Sequence, residues 1–150
     1  MRQQGFTIVE LMIVITIMGI VAALAIPSFG NTIKNHQMRS TADNYYAAIR
    51  YARAEAVRTG RSISVEPTNN DWSTGLEIQD SNGTVLRRVS SKGKLTIAED
   101  NNLSSIDFNP KGFLASEVQL NFCDGRLAER SRRITVLVSG FAAVTSQVGC

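Results

Sequence analysis

The sequence predicts an α+β fold in which a long N-terminal helix, apolar in its first half and amphipathic in its second, packs on a small antiparallel β domain. Three observations carry that prediction. From Phe6 to Ile26 the only charge is Glu10. From Ile33 to Ala56 apolar positions return at mostly three- or four-residue steps, and after Gly60 the period shortens to two. The composition, 43% hydrophobic and 19% charged over 150 residues, is that of an ordinary globular chain and excludes a disordered or fibrous one. With 16 basic and 13 acidic side chains the net charge is +3, too small for a dedicated nucleic-acid binder.

Residues 1–5 read as a short basic leader. The apolar run behind them is long enough to cross a bilayer, since about 20 helical residues span roughly 30 Å. A cleaved secretory signal would look similar, and Ala23-Leu24-Ala25 offers a small-x-small site. Glu10 argues against it. A carboxylate in an apolar span costs about 2.5 to 3.5 kcal/mol at the helix centre and less near the end, so it calls for a cation. Arg2 is one choice; a new α-amino group, made by cutting before Phe6, is the other. That cut would set Glu10 in the first helical turn, where the dipole returns only about 0.3 to 1 kcal/mol.

Residues 6–29 are therefore expected as a transmembrane and assembly helix, and 30–60 as its amphipathic continuation. Pro27 removes an N–H that would bond the carbonyl of Ala23, so a bend or loosening is expected there without a stop. Ile33, Ala42, Tyr45, Ile49, Ala52 and Ala56 mark the apolar face, with Lys34, Arg39, Asp43, Arg50, Arg53 and Arg58 on the others. The helix should end at Thr59-Gly60, with glycine in the left-handed conformation and Arg58 complementing the negative end. Phe6 to Thr59 would then measure about 80 Å.

Residues 61–150 read as the antiparallel β domain. Strands are expected at Arg61 to Val65, Gly75 to Gln79, Thr84 to Val89, Lys94 to Ala98, Ser105 to Phe108, Val118 to Cys123, Arg133 to Val138 and Phe141 to Val144. Asn82-Gly83 predicts a type I′ turn, and Ser139-Gly140 joins the last hairpin. Trp72, Phe108, Phe113 and Phe122 are the expected core anchors. Cys123 and Cys150 are the only cysteines, in a domain this topology places outside the cytoplasmic membrane, which predicts a disulfide. Closing that loop would constrain the unfolded chain by about 3.5 kcal/mol.

Gly5-Phe6-Thr7-Ile8-Val9-Glu10-Leu11-Met12, behind its short leader, resembles the processing motif of type IV prepilins and type II secretion pseudopilins. The resemblance implies a prepilin peptidase that cuts between Gly5 and Phe6 and methylates the Phe6 amine. It also implies that Glu10 pairs with the N-terminal amine of a neighbouring subunit. Ala48-Ile49-Arg50-Tyr51-Ala52-Arg53-Ala54-Glu55-Ala56-Val57, then Thr59-Gly60-Arg61 and Asp71-Trp72-Ser73-Thr74-Gly75-Leu76, is similar to minor pilins of FimU and FimT type and to GspH minor pseudopilins. This implies a pilin fold and a minor subunit that helps initiate a pilus and joins its tip assembly to the major pilin. Its partners would be the peptidase, the inner membrane before assembly, other minor pilins and the major pilin. The alternatives are a pseudopilin of a secretion system and a DNA-binding pilin of FimT type.

Enzymatic, metal and cofactor roles are not expected. One histidine, His36, and two cysteines cannot build a four-ligand zinc site or supply a clear catalytic triad. Gly83 and Gly93 lack the spacing of a phosphate loop, and Glu99-Asp100-Asn101-Asn102 lacks the alternation of a calcium loop. Arg126, Arg130, Arg132 and Arg133 form one basic cluster, suited to phosphate. Asp124 and Glu129 halve its charge, and no aromatic residue is interleaved. DNA-binding relatives of FimT type carry Gly-Arg-x-Arg near the C-terminus, where this chain has Gly140-Phe141-Ala142-Ala143. DNA is thus not an expected partner.

Overall fold

The computed structural model describes residues 7–100, 103–126 and 130–148, with 24–28, 130, 147 and 148 described by their backbone alone. They fall into two compact units divided between Asn35 and His36, and one helix, α1 (Ile8–Thr59), contributes to both. Thr7 begins it. Its carbonyl accepts from Leu11 N–H at 3.2 Å and its hydroxyl from Glu10 N–H at 3.2 Å, so a side chain satisfies one donor that the first turn leaves open. The helix continues through Pro27. At its other end Gly60 takes φ 63°, the left-handed conformation that costs a glycine nothing, while Thr59 Oγ1 donates to the Glu55 carbonyl at 2.7 Å.

In the second unit, Met38, Thr41, Ala42, Tyr45, Ala48, Ile49, Ala52 and Ala56 form the buried stripe of α1 at three- and four-residue spacing. Four of the eight are alanines, which lets the sheets approach the helix closely. Ile33, expected on this stripe, lies in the first unit and is 56% exposed. Thr41 sits inside the stripe because its hydroxyl accepts the Lys92 N–H at 3.2 Å.

The β residues form two antiparallel sheets rather than one. The first orders β3 (Val85–Ser90), β2 (Gly75–Asp80), β1 (Ile63–Pro67) and β5 (Ile106–Phe108); the second orders β4 (Thr96–Glu99), β6 (Val118–Cys123), β7 (Arg130–Val136) and β8 (Ala142–Val148). The chain crosses to the second sheet for β4 and returns for β5. Val65 opposite Ile78 and Leu120 opposite Ile134 show the inward register, and Ile63, Val65, Leu76, Ile78, Phe108, Leu120, Phe122 and Ile134 are buried with the helical stripe in one cluster. β7 starts three residues earlier than the sequence predicts and β8 runs four residues further, because the pairs from Arg130–Val148 to Val136–Ala142 form one long ladder.

Three five-residue turns share one pattern: Asp80 to Thr84, Asn109 to Phe113 and Leu137 to Phe141. In each, the first N–H donates to the fifth carbonyl and the fourth residue, glycine at φ 76–78°, donates to the first carbonyl. This is a type I turn closed by a glycine bulge. Asn82 does not take positive φ, so the expected type I′ turn does not form. Asp80 Oδ1 instead accepts the N–H groups of Asn82 and Thr84, at 2.9 and 2.8 Å, and holds the wider turn. The middle turn also corrects the core. Asn109 Oδ1 accepts from Lys111 and Phe113 N–H, which leaves the Phe113 ring 43% exposed and turns Leu114 inward in its place.

Candidate functional site

Among its described residues, the first unit is an apolar helix without a buried core. Every large apolar side chain from Ile8 to Val21 is between 45% and 79% exposed, on all sides of the helix, and Glu10 lies among them, also exposed. A helix apolar all round is covered in use by lipid or by other helices. Among the described residues no helix is long and apolar enough to cross a membrane. Phe6 and the side chains of Leu24 to Pro27, which complete the apolar run and hold the expected bend, are outside the described ones, as is Gly5. The spacing Thr7-x-x-Glu10 matches a capping box, a signal that the sequence reading passed over.

The arginine cluster is taken apart by strand geometry. Arg132 and Arg133 are consecutive in β7 and point to opposite faces. Arg132 Nη1 reaches Asp43 of α1 at 3.1 Å, and Arg133 Nε donates to Asn121 Oδ1, its cross-strand neighbour, at 2.6 Å. Arg126 is bound through Nε and Nη2 to Asp124 two residues before it. The Arg130 side chain lies outside the described ones. Cys123 ends β6 and is not a free thiol, while Cys150 lies outside the described residues.

Glu99 Oε2 accepts the Leu103 N–H at 2.6 Å and Asp100 Oδ1 accepts from Asn121, so both carboxylates organise their own loop; Asn101 and Asn102 are outside the described residues. His36 is exposed on α1. Among the described residues no group of His, Cys, Asp and Glu could hold a metal ion.

A residue the sequence placed only on a solvent face proves central to the loops. Arg53 of α1 donates through Nε to the Gly112 carbonyl at 3.2 Å and through Nη2 to the Ser139 carbonyl at 2.9 Å, tying two glycine turns to the helix. Nearby, Arg58 grips Glu55 through both Nε and Nη2, which lowers the Glu55 carboxyl below its ordinary range. No local sequence signal marks Arg53, because its acceptors lie 59 and 86 residues away.

Comparison with known proteins matches this architecture. Residues 41–140 match the type II transport protein GspH, and residues 1–26 match the prokaryotic N-terminal methylation motif. A fimbrial protein of Pseudomonas aeruginosa is 36% identical over 76 residues, which is 49% of each chain. The chain thus spans about half the length of the curated relatives it matches. The crystal structure of the P. aeruginosa type IV minor pilin FimU superposes with a TM-score of 0.67 at 24% identity, covering 77% of this chain and 96% of that one. The minor pseudopilin EpsH of the Vibrio cholerae type 2 secretion system gives 0.59 at 12% identity, covering 73% and 97%. Both share the fold. With two thirds of its length matched by the family, and with the methylation motif ahead of it, the chain belongs to the GspH family of minor pilins and pseudopilins.

Proposed function

We propose that this chain is a non-enzymatic minor subunit of a type IV pilus, which helps to start assembly and joins the tip complex to the major pilin. The observation that carries the reading is the apolar helix of the first unit, exposed on all sides from Ile8 to Val21, with one carboxylate, Glu10, in its first turn. Each of those side chains is worth about 1.5 to 3 kcal/mol on burial, so the helix has a strong drive toward cover. The inner membrane covers it first, as a single pass with the β domain in the periplasm, and neighbouring helices in the fibre cover it afterwards. Leader removal between Gly5 and Phe6 by a prepilin peptidase, with methylation of Phe6, frees an amine. Glu10 pairs with such an amine on the adjacent subunit, and that pairing offsets the cost of a carboxylate in an apolar setting.

The test is Glu10→Ala in the native host. The variant should accumulate in the inner membrane at the normal level yet fall by about tenfold or more in sheared fibres, as loss of a desolvated charge pair requires. Normal incorporation would refute the pairing. The family match itself favours a second reading, a pseudopilin of a type II secretion system. A strain lacking the chain separates the two: loss of surface fibres supports the pilus, and loss of an exported enzyme with fibres intact supports secretion.

A further inference from the structure

The free edges of the two sheets are not alike. β3 carries Arg87 and Arg88, β4 is four residues ending in Glu99, and β5 is three residues around Asp107. Charges and shortness of this kind protect an edge from pairing with other chains. β8 has neither: it is seven residues long, with no charge and no proline, and among the described residues no strand pairs with its outer side. The Leu137 N–H bond to the Phe141 carbonyl fixes the alternation of its ladder, so the N–H and C=O groups of Ala142, Val144 and Ser146 point away from β7.

Beside this edge, a cleft of about 630 Å³ opens between the start of β8 and α1. Its apolar lining includes Val57, 55% exposed, and Phe141, 59% exposed. Its charge is cationic. Arg58 is neutralised by Glu55 and Arg53 is committed to two carbonyls, but Arg50 lies over the Tyr46 ring at 5.5 Å and has no carboxylate partner among the described residues. A strand added to β8 would lie across this stretch of the helix.

We propose that the β8 edge and the cleft together form a docking site for an extended acidic segment of another protein subunit, which adds a fifth strand to the second sheet. The partner's backbone pairs with Ala142, Val144 and Ser146, an apolar side chain facing the helix packs on Val57, and a carboxylate facing the helix meets Arg50. A nucleic acid has no backbone N–H and C=O ladder to offer this edge, and the apolar floor gives phosphates nothing. The site belongs to the second unit and its occupancy can be read without fibres, so it stands or falls separately from the Glu10 assembly role.

The probe is a fluorescein-labelled heptapeptide, Ser-Val-Ser-Glu-Ser-Val-Ser, titrated by anisotropy against the full chain in detergent micelles. Its counterpart with lysine for glutamate is the control. The acidic peptide should bind about tenfold or more tightly than the lysine peptide, the weight of one charge-assisted contact. Arg50→Glu, an exposed helix substitution, should reverse that preference. Ser146→Pro removes an outward N–H without touching a ladder bond and should weaken both peptides, with the unfolding midpoint of each variant near that of the parent. Failure of the acidic peptide to bind, equal binding of the two, or unchanged affinity in Arg50→Glu would overturn the proposal. Displacement of the peptide by an equimolar oligothymidylate would overturn it in favour of a nucleic-acid site.

Discussion

The hydroxyl of Tyr45 donates to the Trp72 carbonyl at 2.7 Å from a ring that is fully buried and meets Phe122 edge-on at 5.4 Å. Burial, and secondarily the charge of Asp71, push this phenol well above its ordinary value of 10.0. The unfolded chain therefore starts to lose this proton near pH 10 while the folded chain keeps it. The resulting stability is full below pH 10 and is lost as the pH rises toward the folded value. Between about pH 9 and pH 11 the thermal midpoint of the parent should fall more steeply than that of Tyr45→Phe, which at neutral pH should itself be less stable by about 1 to 2 kcal/mol. Parallel slopes would contradict this. Gly140 offers a second test. A Cβ there, at φ 76°, would meet the Gly112 carbonyl oxygen and the Arg53 side chain, so Gly140→Ala should cost about 2 kcal/mol or more, read by denaturant titration. The sequence shows Gly140 as the turn glycine of the last hairpin and as part of a motif whose arginines are missing; the folded chain also uses it to let two turns touch.

Elements were readable where their periodicity is local. The helix end at Gly60, the strands β1, β2, β5 and β6 and the antiparallel pairing follow from spacing and turn residues alone. Two features depend on more than local periodicity. The charged start of β7, Arg130 to Arg133, hides a strand that exists because β8 pairs with it over seven residues. The turn after β2 depends on Asp80, whose carboxylate is drawn below its ordinary range first by the Thr84 N–H; an Asn-Gly pair by itself does not choose between turn types. At this scale the predicted Cys123–Cys150 bridge is also testable. Reduction should lower stability by about 3 kcal/mol and the thermal midpoint by several degrees. Two thiols alkylated in the native, unreduced protein would end the claim.

For the whole molecule, the two units differ in what they need. Among the described residues, the second, from His36, carries the buried cluster, whereas the first exposes its large apolar side chains. A fragment starting at His36 should remain soluble and monodisperse without detergent, and the full chain should require it; aggregation of the fragment would contradict this division. Intact mass of the protein purified from its host should show a chain beginning at a methylated Phe6. A species beginning at Met1 or Ile26 would refute the proposed processing.

The sequence alone determined the apolar run with its single acid, the amphipathic helix behind it, the strand-rich remainder and hence the family, because each of these is written in residues close together along the chain. Only the tertiary structure decided that the strands divide into two sheets, that Leu114 replaces Phe113 in the core and that Arg53 fastens two turns. It also decided that consecutive arginines part to opposite faces and that β8 is left as the unguarded edge. These outcomes depend on partners dozens of residues apart, and on the alternation of a strand whose register is set by its neighbour, information that no local window of sequence contains.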